Sequence, residues 1–439
     1  MSELELGVLI AVSTIGLLLL GIPVAFAIGL VSIGFLVYYD GIFALGFVAE
    51  TLYGALDSFA LLSIPMFILM GGAIASSRAG ADLYEALDRW LYRVPGGLMA
   101  SNIGACGIFA ALSGSSPATC AAIGKMGIPE MRQRGYPASV ATGSIAAGGT
   151  LGILIPPSIT MIVYGIATET SIGRLFLAGL LPGLLLMALF IAWGLIDARR
   201  KGYRFTTPGV SGFSLRDKVA VLPKVGPFLA IIVGILYVLY GGVATPSEAA
   251  GVGAMLCLLL VMVIYGVRKG NQLWEIFRDS MKESVMILMI IAAAELFSYM
   301  MSSLFITQSL AQWIAALDVH TYVLLACINL FLLVAGFFLP PVAVILMTAP
   351  TLLPIITELG FDPVWFAVMM TINLEIGLIT PPVGLNLYVI NGIAPDVNLP
   401  TILWGALPYM LCMVVAIVLL CVFPEIAMWL PNTLMGPAV

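Results

Sequence analysis

Two stretches of the chain combine glycines, a double proline and small polar side chains within largely apolar runs. The first covers residues 143–165, GSIAAGGTLGILIPPSITMIVYG, and the second covers 373–392, NLEIGLITPPVGLNLYVING. In each, a glycine lies four residues before the first proline, as Gly152 lies before Pro156. A helix cannot run smoothly through such a stretch, because proline lacks an amide donor and glycine weakens helical backbone. The carbonyls freed by the break are ligands for a small cation, and the new helix N-termini attract an anion.

Hydroxyl and amide side chains supply further neutral ligands close to these breaks or to a neighbouring turn. They are Ser113, Ser115, Ser116, Thr119, Thr150, Ser158, Asn373, Thr380 and Asn386. For any single one of them, close helix packing is an alternative explanation, since small polar residues are common where membrane helices meet. The repeated grouping favours a binding function.

Two carboxylates are expected at membrane depth, Glu375 in the second interrupted stretch and Glu295 in the run AAAELFSYM. An ionisable residue at that depth is costly, so it is a functional candidate by default. Three roles stay open for Glu375: attracting a cation, carrying a proton, or serving as a structural hydrogen-bond acceptor.

Other reactive groups are sparse. The six cysteines are not spaced as metal ligands and His320 is the single histidine, so neither a transition-metal site nor histidine-based catalysis is expected. The net charge of −5 and the lack of a basic patch give no reason to expect nucleic acid. An intramembrane enzyme would need a nucleophile, base or metal cluster that this sequence lacks, so no enzymatic activity is expected.

The elements that must position the candidate groups are membrane helices. Of the 439 residues, 61% are hydrophobic and only 9% are charged, and the mean hydropathy is +1.12. A soluble protein of this size cannot cover its surface with so few charges. The composition therefore predicts an all-α polytopic protein embedded in a lipid bilayer.

The basic residues determine the predicted topology. All 18 lysines and arginines lie between Arg78 and Lys282. The positive-inside rule places four clusters of them in the cytoplasm: Arg89/Arg93, Lys125/Arg132/Arg134, Arg199 to Lys224, and Arg268 to Lys282. The apolar stretch between Arg93 and Lys125 must begin and end on that side, so it is expected to form a re-entrant hairpin over about 96–127. Its centre, SGSSPAT, has the residues of a tight turn. The alternative is one kinked span with a short undetected partner.

Counting spans from these anchors divides the chain into four parts. The predicted parts are N-terminal scaffold helices in 1–57, a first repeat in 58–200, a connecting loop and scaffold helix in 201–245, and a second repeat in 246–439. The first repeat is expected to contain an arm helix over 82–92, the inward hairpin, and a broken helix over about 138–165.

The second repeat is expected to contain an arm helix over 273–282, an outward hairpin over about 321–359, a broken helix over about 362–391 and a final span. An odd number of spans separates the two hairpins, so the second enters from the opposite side of the membrane. That arrangement is an inverted repeat, which is typical of secondary transporters. Both termini are then predicted on the outer side.

Essentially the whole chain resembles one known family. The segment GSIAAGGTLGILIPPSITMIVYGIATETSIGRLFLAGLLPGLLL, its counterpart NLEIGLITPPVGLNLYVING and the hairpin SGSSPATCAAIGKMGIPEMRQRGY are similar to the large membrane subunit of tripartite ATP-independent periplasmic (TRAP) transporters, the DctM-like family. The resemblance implies a sodium-driven secondary importer of the bacterial inner membrane, with an elevator mechanism and periplasmic termini. It also implies three partners: a separate four-span small subunit, a periplasmic binding protein, and an organic anion such as a C4-dicarboxylate.

The resemblance further implies a sodium (Na+) site where each hairpin tip meets its broken helix. The implied sodium positions are Ser113, Ser115, Ser116, Gly149, Gly152, Gly336, Pro340, Thr380 and Pro381. The implied substrate positions are Ser116, Ser158, Asn373 and Asn386. Many relatives carry an acidic residue at the second tip, where this chain has Pro340 and Pro341, so a role for that acid does not transfer. The alternative function is a proton-coupled carboxylate carrier of similar fold that uses Glu375.

Overall fold

The computed structural model describes residues 2–92, 94, 96–202, 213–315 and 319–436. In these residues all regular structure is helical, which confirms the predicted all-α fold. Seven of the described helices are long and apolar enough to cross a membrane, and one bent pair is an eighth candidate span. Arg93 and much of the predicted connecting loop, 203–212, lie outside the described residues.

The chain begins with two apolar helices, and its fifth helix is amphipathic. Its helices are α1 Glu3–Leu19, α2 Val24–Asp40, α3 Ala44–Leu56, α4 Ser63–Ala75 and α5 Ala79–Leu91. Helix α1 starts with a capping box, in which Ser2 Oγ accepts from Glu5 N (3.3 Å) and the Glu5 carboxylate accepts from Ser2 N (3.0 Å). A 3-10 turn, Phe59–Leu62, leads into α4, and the chain bends there by 57°. Helix α5 is the predicted first arm.

The predicted hairpin and broken helix of the first repeat are both present. The hairpin is α6 Gly97–Ser113 and α7 Ser116–Gln133; the broken helix is α8 Ala138–Thr150, a 3-10 turn Leu151–Ile153 and α9 Ile159–Ala167; α10 Ile172–Arg200 follows. Gly114 ends α6 in the left-handed region (φ 57°), which strongly favours glycine. Ser158 restarts the helix after the break, because its hydroxyl accepts from Met161 N at 3.2 Å.

The second half follows a similar order. Its helices are α11 Leu215–Val219, α12 Leu222–Tyr240, α13 Pro246–Val263, α14 Gly270–Ser303, α15 Ile306–Ala315, α16 Thr321–Phe338, α17 Pro341–Glu358, α18 Pro363–Leu378, α19 Leu385–Ile393, α20 Leu399–Val422 and α21 Glu425–Met435. Helices α16 and α17 are the predicted second hairpin, and α18 and α19 are the two parts of the second broken helix. The sequence did not predict α21.

The two repeats share one register. Pro381 follows Pro156 by 225 residues, and both stand in cis prolyl bonds to the next proline. The same offset relates the first residue of α7, Ser116, to the first residue of α17, Pro341. The packing repeats as well, since α19 packs on α7 and α9 packs on α17. The second part of each broken helix therefore packs against the hairpin of the other repeat.

This register corrects the position of the second arm. The predicted arm, 273–282, is instead the first part of α14, which runs without interruption to Ser303. The charged residues suggested a boundary after Lys282, but residues 271–303 contain no glycine or proline that would end a helix there. The short amphipathic helix directly before the second hairpin is α15, which corresponds in register to α5.

Two long-range contacts fix which ends of the helices share a face. Arg132, at the end of α7, forms an ion pair of 2.7 Å with Asp396, after α19, and holds the pKa of Asp396 below its ordinary value. The chain crosses once more through α20, and α21 then packs on α10. There Arg174 donates to Asn432 Oδ1 (2.9 Å) and to the Gly436 carbonyl (2.7 Å). The C-terminal helix thus lies on the face opposite Arg132.

Candidate functional site

The tip of the first hairpin is in backbone contact with the break of the first broken helix. A Cβ added at Gly152 would lie 2.6 Å from the Ser115 carbonyl oxygen, and one added at Gly114 would lie 2.9 Å from the Pro157 carbonyl oxygen. A Cβ at Gly149 would lie 3.2 Å from the Ser116 carbonyl oxygen. Only glycine permits these approaches. The structure therefore brings together the five sodium positions that the resemblance implies for the first repeat.

The hydroxyls at this tip form a compact buried network. Ser113 Oγ and Thr119 Oγ1 are 2.7 Å apart, and Thr119 Oγ1 donates to the Ser115 carbonyl oxygen at 2.9 Å. Ser113, Ser116 and Thr119 are at most 3% exposed. A hydroxyl that donates one hydrogen bond still has lone pairs to offer to a cation. The tip thus presents several neutral oxygens held in place before any ligand arrives.

The second tip makes a similar backbone contact with different chemistry. A Cβ at Gly377 would overlap the carbonyl oxygen of Gly336, and Val383 N donates to the Phe337 carbonyl oxygen at 3.3 Å. Thr380 Oγ1 donates to Ile376 O at 2.6 Å. The positions that correspond to Ser113, Ser115, Ser116 and Thr119 are the apolar residues Phe338, Pro340, Pro341 and Val344. This tip therefore offers backbone carbonyls and the Thr380 hydroxyl rather than a hydroxyl network.

The two breaks also differ in exposure. Residues 151–160 of the first break are buried throughout, whereas Pro381, Pro382 and Val383 of the second are exposed, as is Pro340 at its tip. A cation at the first tip would be enclosed by protein. A cation at the second would lie open to its surroundings.

Hydrogen bonds among the described residues join two of the four implied substrate residues. Asn386 Nδ2 donates to Ser116 Oγ at 2.8 Å and to the Ala146 carbonyl oxygen at 3.3 Å, so these two candidates are joined across the repeats. Asn373 Nδ2 instead donates to Asn329, to its carbonyl oxygen at 2.7 Å and to its side-chain oxygen at 3.0 Å. Ser158 is the N-cap of α9. Substrate binding by all four residues stays a prediction.

Asn329 was missed by the sequence interpretation. It is an amide within the otherwise apolar helix α16, and that isolation was the available signal. Its side chain donates to the Leu325 carbonyl oxygen at 2.8 Å and accepts from Asn373, so it ties the second hairpin to α18.

The two acidic candidates differ. Glu375 is fully buried, and neither carboxylate oxygen has a hydrogen-bond partner in the described part of the chain. The Thr150 hydroxyl is the polar group that faces it. Glu295, expected to be buried, is exposed on α14.

Comparison with known proteins assigns this architecture to a family. Residues 11–426 match the family described as "Tripartite ATP-independent periplasmic transporter, DctM component". The chain is 39% identical to the C4-dicarboxylate TRAP transporter large permease protein DctM of Pseudomonas aeruginosa, over 88% of this chain and 89% of that protein. It is 34% identical to the protein of the same name from Rhodobacter capsulatus, over 96% and 97% of the two chains.

A solved structure supports the fold. The YdaH transporter of Alcanivorax borkumensis, whose crystal structure is described as revealing an unusual topology, matches with a TM-score of 0.66 and 17% identity. The match covers 90% of this chain and 91% of that one, and at this identity it concerns the fold alone. The sequence matches extend over nearly the whole membrane protein, including both hairpins and both broken helices. The chain therefore belongs to the DctM component family of the tripartite ATP-independent periplasmic transporters.

Proposed function

We propose that this chain is the translocating subunit of a sodium-coupled importer for a small organic anion. The observation that carries the proposal is the first hairpin tip, where buried hydroxyls and backbone carbonyls meet the break of α8 and α9 without a positively charged side chain among them. Neutral oxygens in a closed site suit a small hard cation. The family membership gives such a site a transport role.

Anion binding is supported by the helix N-termini around the same site. Helix α7 begins at Ser116 and α9 is capped by Ser158, so both present the positive end of a helix dipole. Relatives are named for C4-dicarboxylate, sialic acid and isethionate, which are small organic anions. A C4-dicarboxylate is our first candidate, since it is named in relatives that are 39% and 35% identical to this chain.

The proposed setting is the bacterial inner membrane, with both termini in the periplasm. The partners are a separate small membrane subunit of four spans and a periplasmic binding protein that delivers the anion. We further propose an elevator movement, in which the hairpins and broken helices move as one body against a scaffold. A separate hydrophobic cluster shared by α1, α2, α3 and α14 is a natural part of such a scaffold.

Uptake should require a sodium gradient. The purified chain, its small subunit and a loaded binding protein are reconstituted in vesicles, and entry of a labelled C4-dicarboxylate is followed with sodium or choline outside. We expect entry with sodium only, and only when all three proteins are present. Equal entry in choline would remove the sodium coupling from the proposal.

The second candidate function is a proton-coupled carrier that uses Glu375. It is favoured by the two buried carboxylate oxygens that have no partner in the described residues. In that case an inward pH gradient alone, without sodium, would drive uptake by wild type, and Glu375→Gln would abolish this uptake. We expect the pH gradient alone to drive none, and vesicles treated with a proton ionophore to retain sodium-driven entry.

A further inference from the structure

Three acceptor oxygens buried between the two broken helices have no hydrogen-bond partner among the residues that the structure describes. They are both carboxylate oxygens of Glu375 on α18 and the amide oxygen of Asn386 on α19, and both residues are 0% exposed. Leaving a neutral buried acceptor unpaired is costly, and a buried carboxylate without a partner costs more. Three such atoms in one region therefore call for a positively charged ligand.

The orientation of the Asn386 amide is fixed by its neighbour. The Ala146 carbonyl oxygen can only accept, so the amide nitrogen must face it, as it does at 3.3 Å. Turning the amide round would set two acceptor oxygens against each other. The oxygen of Asn386 is thus held away from Ala146, and the same amide nitrogen also donates to Ser116 Oγ at 2.8 Å.

Both groups meet the same face of α8. Asn386 contacts Ala146, and the Glu375 carboxyl faces the Thr150 hydroxyl. Positions four residues apart on a helix are neighbours, about 6 Å apart along one face. The unpaired oxygens of α18 and α19 therefore lie within about one helical turn of each other along α8.

The shared register makes this a single central site. Thr150 and Glu375 occupy corresponding positions in the two repeats, separated by the same 225 residues as Pro156 and Pro381. They face each other, so the site lies where the two repeats meet. The position that corresponds to Asn386 is the apolar Met161, so the duplication does not provide a second copy.

We propose that Glu375 and Asn386, with the Thr150 hydroxyl, form a binding site for one monovalent cation between the two broken helices, next to the first hairpin tip, whose Ser116 hydroxyl accepts from the Asn386 amide nitrogen. One carboxylate and neutral oxygens match a single positive charge, and the described residues hold no group of three His, Cys, Asp or Glu side chains for a transition metal. The site deepens the proposed function and rests on it for its role as a further coupling ion. The binding itself can be measured without transport.

The test is the amount of sodium bound by the purified full-length chain, measured with radioactive sodium and a scintillation proximity assay. We expect Glu375→Gln to bind one ion fewer than wild type. Thr150→Val keeps the side-chain shape but removes the hydroxyl, and it should raise the sodium concentration for half-saturation of this ion by at least about tenfold. Glu295→Gln and Asn391→Ala are matched controls, since they remove a carboxylate or an α19 amide elsewhere, and both should bind as wild type does.

The outcomes separate the two proposals. If Glu375→Gln does not fold, Thr150→Val decides, because it removes one neutral oxygen and leaves the carboxylate and the hydrogen bond from Asn386 to Ser116 in place. If these variants bind as much sodium as wild type at the same affinity, the central site is overturned, even where uptake is sodium-driven. If uptake proves independent of sodium but the variants lose a bound ion, the proposed function fails and the central site stands. The cation site is also overturned if wild type and Glu375→Gln bind equal amounts of sodium and only wild type releases a proton as the pH rises.

Discussion

Replacing Gly152 by alanine is expected to reduce sodium-driven uptake by about a hundredfold. The new Cβ would lie 2.6 Å from the Ser115 carbonyl oxygen and 2.8 Å from its carbonyl carbon. These are backbone atoms, which cannot turn aside as the end of a flexible side chain can. The hairpin tip must therefore move away from the break, and a displacement of about 1 Å at a reacting or binding centre costs about 10²-fold in rate. The measurement is the initial rate of uptake in vesicles at several sodium concentrations.

Gly392→Ala is the matched control for this prediction. Gly392 lies in α19, and a Cβ added there would meet nothing within 4 Å. It introduces the same methyl group into a broken helix without a clash, so uptake should stay at the wild-type level. Equal elution volume and helical circular dichroism would show that Gly152→Ala is folded. A folded Gly152→Ala chain with unchanged uptake and sodium dependence would mean that the tip and the break need not touch.

The broken helices were predictable because their signals are local. Glycine before a double proline disrupts a helix wherever it occurs, and the matching intervals around Pro156 and Pro381 revealed the duplication. The first hairpin followed from the positions of basic residues, which fix where the chain must return. The second hairpin lies beyond the last basic residue, Lys282, and rests on the count of spans. Neither inference needs to know which residues meet in space.

The second arm was misplaced because charge was used as a boundary signal. Charged residues up to Lys282 show that α14 begins near the membrane surface, but they do not end a helix, and no glycine or proline follows before Ser303. The true counterpart of α5 is α15. Helix α15 is short, and its amphipathic pattern is the one sequence signal that indicates an arm helix there.

The pairing across repeats was beyond the sequence. Asn386 and Ser116 are 270 residues apart, and nothing local to either indicates the other. Both had been singled out as neutral ligands, so their chemistry was predictable and their partnership was not. The same holds for Thr150 and Glu375, whose meeting follows from how the two repeats fold together. Whether a buried oxygen has a hydrogen-bond partner depends on how the chain packs, so it can be read only from the structure.

Among the ion pairs of the described residues, the one between the first arm and the first hairpin should cost the most free energy of unfolding to break. Arg134 donates to both carboxylate oxygens of Asp88, at 2.9 and 2.7 Å, and its Nε donates to Glu130 at 2.9 Å. The side chains of Arg134 and Asp88 are only 15% and 11% exposed. Arg134→Met leaves the Asp88 carboxylate nearly buried and without its main partner, which should lower the free energy of unfolding by about 3 kcal/mol. The measurement is unfolding of the purified chain by a denaturing detergent.

Arg132 provides the matched control, because it is two residues away from Arg134 and also forms an ion pair, with Asp396. Its side chain and that of Asp396 are 41% and 57% exposed, so water screens the pair and Arg132→Met should unfold close to wild type. The double variant Arg134→Met with Asp88→Leu should regain much of the lost stability, since it removes the uncompensated charge as well as the pair. If Arg134→Met and Arg132→Met unfold alike, the Asp88 contact does not join the arm to the hairpin. If the double variant is more stable to unfolding than Arg134→Met alone, the instability of Arg134→Met comes from the buried, unpaired Asp88 carboxylate rather than from the loss of an attraction.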